Sequence, residues 1–278
     1  MMIKQLGRTI KGCLLASALG VSAVAQAHPL WILPSEFTVS TEEGQGEWIT
    51  ADVSASHTVF GFDKGVPLDH FLVFSPDGDR NALGSYFKGH RRSVFDLYID
   101  QPGTYKIEGK RQPYYFTSYK SGKRDTPKRM MADKIEAKER LPKSARDVST
   151  LLIDMVTATY ITNNAPTDLV TEVKGKGLEM QLDTHPNDIV VGEEVEFTML
   201  LDGKPVAGVD VEVTPAGTKY RSERGAIPVT TAKDGKIIFT PEQAGPWLVG
   251  ADLKSPIKSD LADYQYAIRF VSFEVLPE

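Results

Sequence analysis

Residues 194–213 read Glu194-Val195-Glu196-Phe197-Thr198-Met199-Leu200-Leu201-Asp202-Gly203-Lys204-Pro205-Val206-Ala207-Gly208-Val209-Asp210-Val211-Glu212-Val213. The first eight residues form a strand-like run, and the last five alternate strictly between apolar and acidic side chains. That alternation has the two-residue period of a half-buried strand. Asp202-Gly203 is a dipeptide typical of a tight hairpin turn. This stretch therefore predicts consecutive antiparallel strands.

The chain around this stretch continues the same β pattern. Asp234-Gly235 is a second turn dipeptide, and six or seven short strands fit into about 100 residues, which is the size of an immunoglobulin-like sandwich. The sequence therefore predicts a C-terminal immunoglobulin-like domain over residues 177–278. Its other predicted strands are Leu178–Leu182, Lys236–Thr240, Gly245–Ala251 and Arg269–Val275.

The N-terminal half also indicates short strands closed by turns. Ser75-Pro76-Asp77-Gly78 has turn chemistry, because proline presets φ and glycine accepts a positive φ. Strands of this length with regular turns indicate a second sandwich over residues 28–176. We therefore predict an all-β fold with two immunoglobulin-like β-sandwich domains. The strands predicted in this half are Glu47–Val53, Phe71–Phe74, Val94–Ile99, Thr104–Glu108 and Tyr114–Tyr119.

One charged segment interrupts the β pattern. Residues 120–147 contain ten Lys or Arg and five Asp or Glu. Lys128 to Arg140 can form a mostly exposed helix that Pro142 ends. We predict a helical insertion near 125–147, either a basic docking face or simply a solvated helix. Residues 148–162 are ambiguous, with helical spacing in the first half and β-branched residues in the second.

The N-terminus has the features of a cleaved secretory signal. Positive charges at Lys4, Arg8 and Lys11 precede an apolar run, and Ala25-Gln26-Ala27 has the form that signal peptidase cuts. Residues 1–27 are therefore predicted to be a signal peptide, which makes the protein periplasmic. Removing those three charges changes the net charge from −5 to −8, which argues against nucleic acid as a partner. No later apolar run approaches membrane-spanning length.

Cleavage after Ala27 would make His28 the first residue of the mature chain. A terminal histidine offers a free α-amine and an imidazole nitrogen, which can close a chelate ring on one metal ion. Nitrogen donors suit copper and nickel. Pro29 has no amide proton and cannot supply a deprotonated amide as a further ligand. The alternative is that the terminal histidine is an accident of processing.

Further imidazole ligands must come from other parts of the fold, because the five histidines of the mature chain form no close pair. His57 lies in a predicted loop at the end of a strand, where sites are often built. His185 is the other candidate ligand, and the alternative is a turn residue that hydrogen-bonds the backbone at the domain junction. His70 is interpreted as structural, and His90 is followed by two arginines that would repel a cation.

Several stretches resemble a family of secreted bacterial proteins of unknown function, some of them labelled substrate-specific components of nickel uptake. The resemblance implies a periplasmic protein with immunoglobulin-like domains and a role in transition-metal handling. The most specific matches are the start and the Thr-His-Pro-Asn-Asp stretch. The matching residues include Ala27–Ser35, Arg92–Asp96, Gly103–Ile107, Gly177–Glu179, Thr184–Asp188, Asp202–Pro205 and Phe273–Pro277.

Three functions remain open from the sequence. The first is a periplasmic protein that captures or delivers a copper or nickel ion through His28, with an outer-membrane or inner-membrane transport component as a partner. The second is a copper oxidase or monooxygenase that uses a histidine brace. The third is a structural or ligand-binding accessory sandwich without metal. No hydrolase elbow, phosphate loop or catalytic cysteine is visible, which argues against hydrolase chemistry. Binding is favoured over catalysis because no substrate-directing motif is visible.

Overall fold

The computed structural model describes residues 28–278, apart from the side chain of Arg124. The predicted signal peptide and its cleavage point after Ala27 lie outside the described residues. Within residues 28–278 no helix has the length and apolar character needed to cross a membrane.

Strands are the dominant regular structure of the described chain, which confirms the all-β prediction. It contains one short α-helix, α1 (Lys134–Arg140), and one 3₁₀ turn at Thr218–Tyr220. The strands are β1 (Leu30–Pro34), β2 (Thr38–Val39), β3 (Glu47–Ala55), β4 (Phe71–Phe74), β5 (Arg80–Ala82), β6 (Tyr86–Lys88), β7 (Ser93–Ile99), β8 (Gly103–Lys110), β9 (Tyr114–Ser121), β10 (Arg124–Met130), β11 (Ala145–Asn163), β12 (Leu178–Gln181), β13 (Val195–Leu201), β14 (Lys204–Pro205), β15 (Asp210–Pro215), β16 (Ile227–Thr230), β17 (Lys236–Phe239), β18 (Gly245–Pro256) and β19 (Tyr264–Val275).

Three sheets make up the fold. A central sheet of eleven strands runs in the order β16-β15-β18-β19-β11-β8-β4-β5. The strands β2 and β9 also pair with β11, and β10 pairs with β9. A four-stranded sheet, β1-β3-β7-β6, covers one part of it. A second four-stranded sheet contains β12, β13, β14 and β17. The central sheet therefore contains strands from both predicted domains.

Strand β11 connects the two halves of the molecule. Its first part pairs with β9, its last part pairs antiparallel with β8, and residues Leu151–Thr159 pair parallel with β19. The helical spacing at the start of this segment was therefore misleading, because partners on both edges make it a strand. The boundary near residue 176 stays a prediction, since one continuous sheet spans it.

Two hydrophobic cores lie on opposite faces of the shared part of the sheet. Successive strand residues point to opposite faces, so Ile268 and Phe270 of β19 enter the first core, whereas Val271 and Phe273 enter the second. The first core also includes Trp31, Ile32, Val53, Phe95 and Ile107. The second core also includes Phe197, Met199, Val211, Phe239 and Trp247.

The charged insertion is less helical than the sequence suggested. Helix α1 begins after Asp133, whose Oδ1 accepts from the amides of Ile135 and Glu136 at 2.8 Å each. The prediction of a helix from residue 128 was wrong for residues 128–130, which belong to β10 and pair with β9. The cross-strand partners explain this, because Lys128, Arg129 and Met130 pair with Tyr119, Ser118 and Thr117 of β9.

The hairpin predicted at Asp202-Gly203 is present between β13 and β14. Asp202 has φ 50° and Gly203 has φ 75°. Two consecutive positive φ values are the requirement of a type I′ turn, whose twist matches that of the flanking strands.

Candidate metal centre

The register of two strands brings His28 and His57 together. Leu30 of β1 is paired with Ala55 of β3 in an antiparallel ladder. The ladder extends by one hydrogen bond from the Ser56 amide to the Pro29 carbonyl, at 3.1 Å. Residues just before β1 and just after β3 must therefore lie side by side, and these positions hold the two histidines.

The two imidazole rings are in contact. Their centroids lie 3.9 Å apart, and the ring planes are inclined at 59°. His28 is exposed, and the His57 side chain is 76% exposed. Both rings are therefore accessible from solvent.

Asp63 orients the His57 ring. Its Oδ2 accepts from the His57 backbone amide at 2.9 Å and lies 3.1 Å from His57 Nδ1. Because the two nitrogens of an imidazole point apart, Nε2 faces away from this carboxylate. Metal-binding histidines commonly have their second nitrogen held by a carboxylate in this way. Sequence reasoning missed Asp63, and a carboxylate six residues along the same loop was the available signal.

The electrostatics of the site favour a neutral His28 ring. Partial desolvation by its neighbours, together with the charges of His57 and Lys64, lowers the pKa of His28, and Asp63 acts in the opposite direction. The hydrogen bonds from the His57 amide and ring lower the pKa of Asp63. The neutral imidazole is the form that binds a metal ion.

The loop that carries His57 is supported by aromatic packing. Trp31 is fully buried, and its ring meets those of Phe60 and Phe62 edge-on with centroids 5.5 Å away in each case. Gly61 lies so close to Thr58 that a Cβ at this position would be 2.0 Å from Thr58 Oγ1. A side chain at position 61 would therefore not fit without a shift of the loop.

His185 occupies a different place in the fold. Its Nδ1 accepts from the Asn187 amide at 3.2 Å, and its Nε2 lies 3.2 Å from Thr104 Oγ1. Both ring nitrogens thus have protein partners, as in the turn interpretation. Burial lowers the pKa of His185. A hydrogen bond to the Thr167 backbone and the nearby Asp168 carboxylate act in the opposite direction.

His185 lies far from the histidine pair, because the two sites contact different parts of β11. Thr157 donates to the Leu30 carbonyl beside the pair, whereas Thr162 bonds Thr104 beside His185. These two threonines are five positions apart, which is about 16 Å at the rise of a strand. Within residues 28–278 no three His, Cys, Asp or Glu side chains form a group that could hold a metal ion. The structure therefore brings together His28 and His57, and not His185.

The Thr-His-Pro-Asn-Asp stretch has a structural role at this junction. Asn187 Nδ2 donates to the Phe37 carbonyl at 2.9 Å and to the Tyr160 carbonyl at 3.2 Å, and its Oδ1 accepts from Thr162 at 3.0 Å. The side chain is buried. Asn187 therefore joins the start of the C-terminal half to β11 and the segment before β2.

A family model covers most of the chain. The model described as Domain of unknown function (DUF4198) matches residues 25–255. The chain belongs to this family. The DUF4198 match begins just before His28, so it includes both histidines of the pair as well as Asp63. A comparison with curated proteins finds no match.

Similar solved structures include multidomain β proteins. An ICAM-5 D1–D4 ectodomain fragment aligns at 9% identity and TM-score 0.21, covering 90% of this chain and 51% of that one. The FN1–FN3 domains of chicken CNTN1 align at 10% identity and TM-score 0.22, covering 89% and 98%. Purple acid phosphatase PPD1 of yellow lupin aligns at 11% identity and TM-score 0.21, covering 90% and 42%. This chain thus spans about half of the ICAM-5 fragment, and alignments at these TM-scores carry no argument about function.

Proposed function

We propose that this protein is a periplasmic transition-metal-binding protein that captures or delivers one copper or nickel ion. After cleavage behind Ala27, the metal ligands are the His28 amine, the His28 imidazole and the His57 imidazole. The observation that carries the proposal is the 3.9 Å separation between the centroids of the two imidazole rings.

The donor set fits the proposed metals. Three nitrogen donors on an exposed surface suit copper and nickel more than calcium or magnesium, which prefer oxygen. The Asp63 carboxylate would hold His57 with Nε2 available to the ion, and a lowered pKa keeps the His28 ring neutral at physiological pH. A site at the surface also allows an ion to be accepted and released, as a carrier requires.

The transport partner is the remaining part of the proposal. An exposed metal site can be reached by another protein, and the family resemblance suggested a component of metal uptake at the inner or outer membrane. Transfer of the ion to such a partner requires that the metal site stay accessible in the mature protein. The exposed His57 side chain is consistent with that requirement.

The proposal is tested by measuring Cu(II) and Ni(II) affinity of the mature protein and of three variants by calorimetry. His28→Ala and His57→Ala are each expected to weaken binding at least tenfold, because each removes a nitrogen ligand. His70→Ala is the matched control and is expected to leave the affinity unchanged. Equal affinities of all four proteins would overturn the proposal.

A further inference from the structure

A cleft of about 330 Å³ opens beside the histidine pair. Pro29 and Val59, which lie next to His28 and near His57 in sequence, line one side of it. The other side is the face of the central sheet formed by strands β15, β16, β18 and β19. This volume is in the range of pockets that hold small organic molecules.

The base of the cleft is apolar. It is formed by Leu248, Ile268 and Phe270, which are buried residues of the first core. Gly250 is paired with Phe270 across β18 and β19, and a Cβ at this glycine would lie 2.9 Å from Phe270 Cε1. The absence of a side chain therefore lets the Phe270 ring lie against the strand and keeps the cleft open.

Two carboxylates face each other on the wall of the cleft. Asp210 of β15 and Asp252 of β18 are direct cross-strand partners. Such partners place their Cβ atoms about 5 Å apart, and like charges directly opposite each other are unfavourable. The Thr230 hydroxyl donates to Asp210 Oδ1 at 3.2 Å, which orients one of the two carboxylates.

The charge of the cleft is not balanced by its own residues. Arg224 is the one cation among the described residues that line it, and this guanidinium is already paired with Glu212. Burial and the facing Asp210 raise the pKa of Asp252, while Tyr266 acts in the opposite direction. A positive group between the two aspartates would remove this repulsion.

We propose that this cleft binds a small organic molecule that carries an ammonium group and an apolar portion. The ammonium group would lie between Asp210 and Asp252, and the apolar portion would pack on Phe270 and Ile268. The shape of the cleft fits this division, because its charged wall adjoins an apolar base. The site is separate from the proposed metal ligands, so the inference goes beyond the proposed function.

The Tyr266 ring adds to this complementarity. It lines the same cleft, and burial together with the Asp252 charge raises the pKa of its hydroxyl, which therefore stays protonated as a hydrogen-bond donor. Its hydroxyl is hydrogen-bonded to Asp252, and the rest of the ring adds apolar surface to the cleft. A bare inorganic cation would pair with the carboxylates but would make no contact with the apolar base of the cleft.

The test is NMR titration of ¹⁵N-labelled mature protein in EDTA with benzylammonium chloride and with benzyl alcohol as its neutral analogue. Benzylammonium is expected to shift the amide signals of Gly250 and Val229 and to bind at least tenfold more tightly than benzyl alcohol. Equal binding of the two compounds, or shifts confined to other regions, would overturn the proposal. Potassium chloride at equal ionic strength is expected to produce no such shifts, and matching shifts with potassium would also overturn it.

Variants separate the cleft from the metal site. Asp252→Asn is expected to weaken benzylammonium binding about tenfold, and Asp260→Asn, at an exposed position outside the cleft, is the matched control. Thr230→Arg places a guanidinium beside Asp210 at an exposed edge. It is expected to block binding because the arginine takes the place of the ligand's ammonium group. Unchanged binding in both cleft variants would contradict the proposal. His28→Ala is expected to leave benzylammonium binding intact, so failure of the metal proposal would not affect this result.

Discussion

Arg269 of β19 forms an ion pair with Asp154 of β11, and the Arg269 Nη2 and Asp154 Oδ2 atoms are 2.7 Å apart. The same guanidinium donates to the carbonyl of Leu178, at the start of β12, at 2.6 Å. The side chains of Arg269 and Asp154 are 12% and 13% exposed. This buried contact therefore ties the parallel strand pair to the sheet of the second core.

Replacing Arg269 with methionine is expected to lower the free energy of unfolding by about 3 kcal/mol, because it removes the close partner of a largely buried carboxylate and leaves only Lys110 Nζ, 4.0 Å from Asp154. Urea unfolding followed by circular dichroism measures the change. The control is Arg146→Met, which breaks an exposed pair with Asp125 and should cost less than about 1 kcal/mol. A loss no larger for Arg269 than for Arg146 would show that the buried contact is not important for stability.

The stability of the protein is expected to fall between pH 7.5 and 5.5, in part because of His185. Burial lowers its pKa below 6.5 in the folded state. The unfolded chain therefore takes up a proton first as the pH falls, and stability drops through the range below 6.5. His185→Gln removes this titration, so the difference in unfolding free energy between the two pH values should become smaller.

The matched control for that measurement is His90→Gln, at an exposed loop position. It tests whether the loss of any histidine changes the pH dependence or only the loss of the half-buried His185. A pH dependence that is the same in wild type and in His185→Gln would contradict the assignment of His185 to a half-buried structural position.

Asp63 is expected to act on the metal through His57. Asp63→Asn weakens the hold on the His57 ring, so Cu(II) affinity should fall by roughly tenfold, as for other residues that orient ligand histidines. Asp79→Asn, at an exposed turn, is the control. Calorimetry of both variants provides the measurement, and an affinity of Asp63→Asn equal to that of the control would exclude a positioning role.

Local patterns predicted much of the fold because strand periodicity and turn chemistry act over a few residues. The alternation at Val209–Val213 and the turn at Asp202-Gly203 both appear in the structure. The parallel pairing of β11 with β19 could not be predicted, because it joins segments more than a hundred residues apart. The apolar residues in 148–155 have helical spacing, and no feature of this local sequence shows that the segment pairs with a strand on each edge.

Local sequence likewise predicted the residues of the candidate site, but not the contacts that they make. His28 and His57 were chosen from the terminus and from a loop position, and the register of β1 with β3 is what makes them neighbours. His185 lay next to a turn proline, and sequence alone left ligand and turn residue as alternatives. Its contacts with Thr104 and Asn187 depend on long-range packing that the sequence does not display.

The free amine at His28 is the central requirement of the proposed metal site. An added alanine before His28 leaves both imidazoles in place and moves the α-amine away from them. Binding to the mature protein is also expected to weaken as the pH falls, because protons compete with the ion for the amine and for the imidazole nitrogens.

The most direct test is the Cu(II) dissociation constant of mature protein beginning at His28, compared with that of protein extended by one alanine. Native mass spectrometry of both proteins verifies the N-terminus and the number of ions bound. The account predicts one tightly bound ion in the mature protein and loss of tight binding in the extended one. Equally tight binding of copper by the extended protein would contradict it.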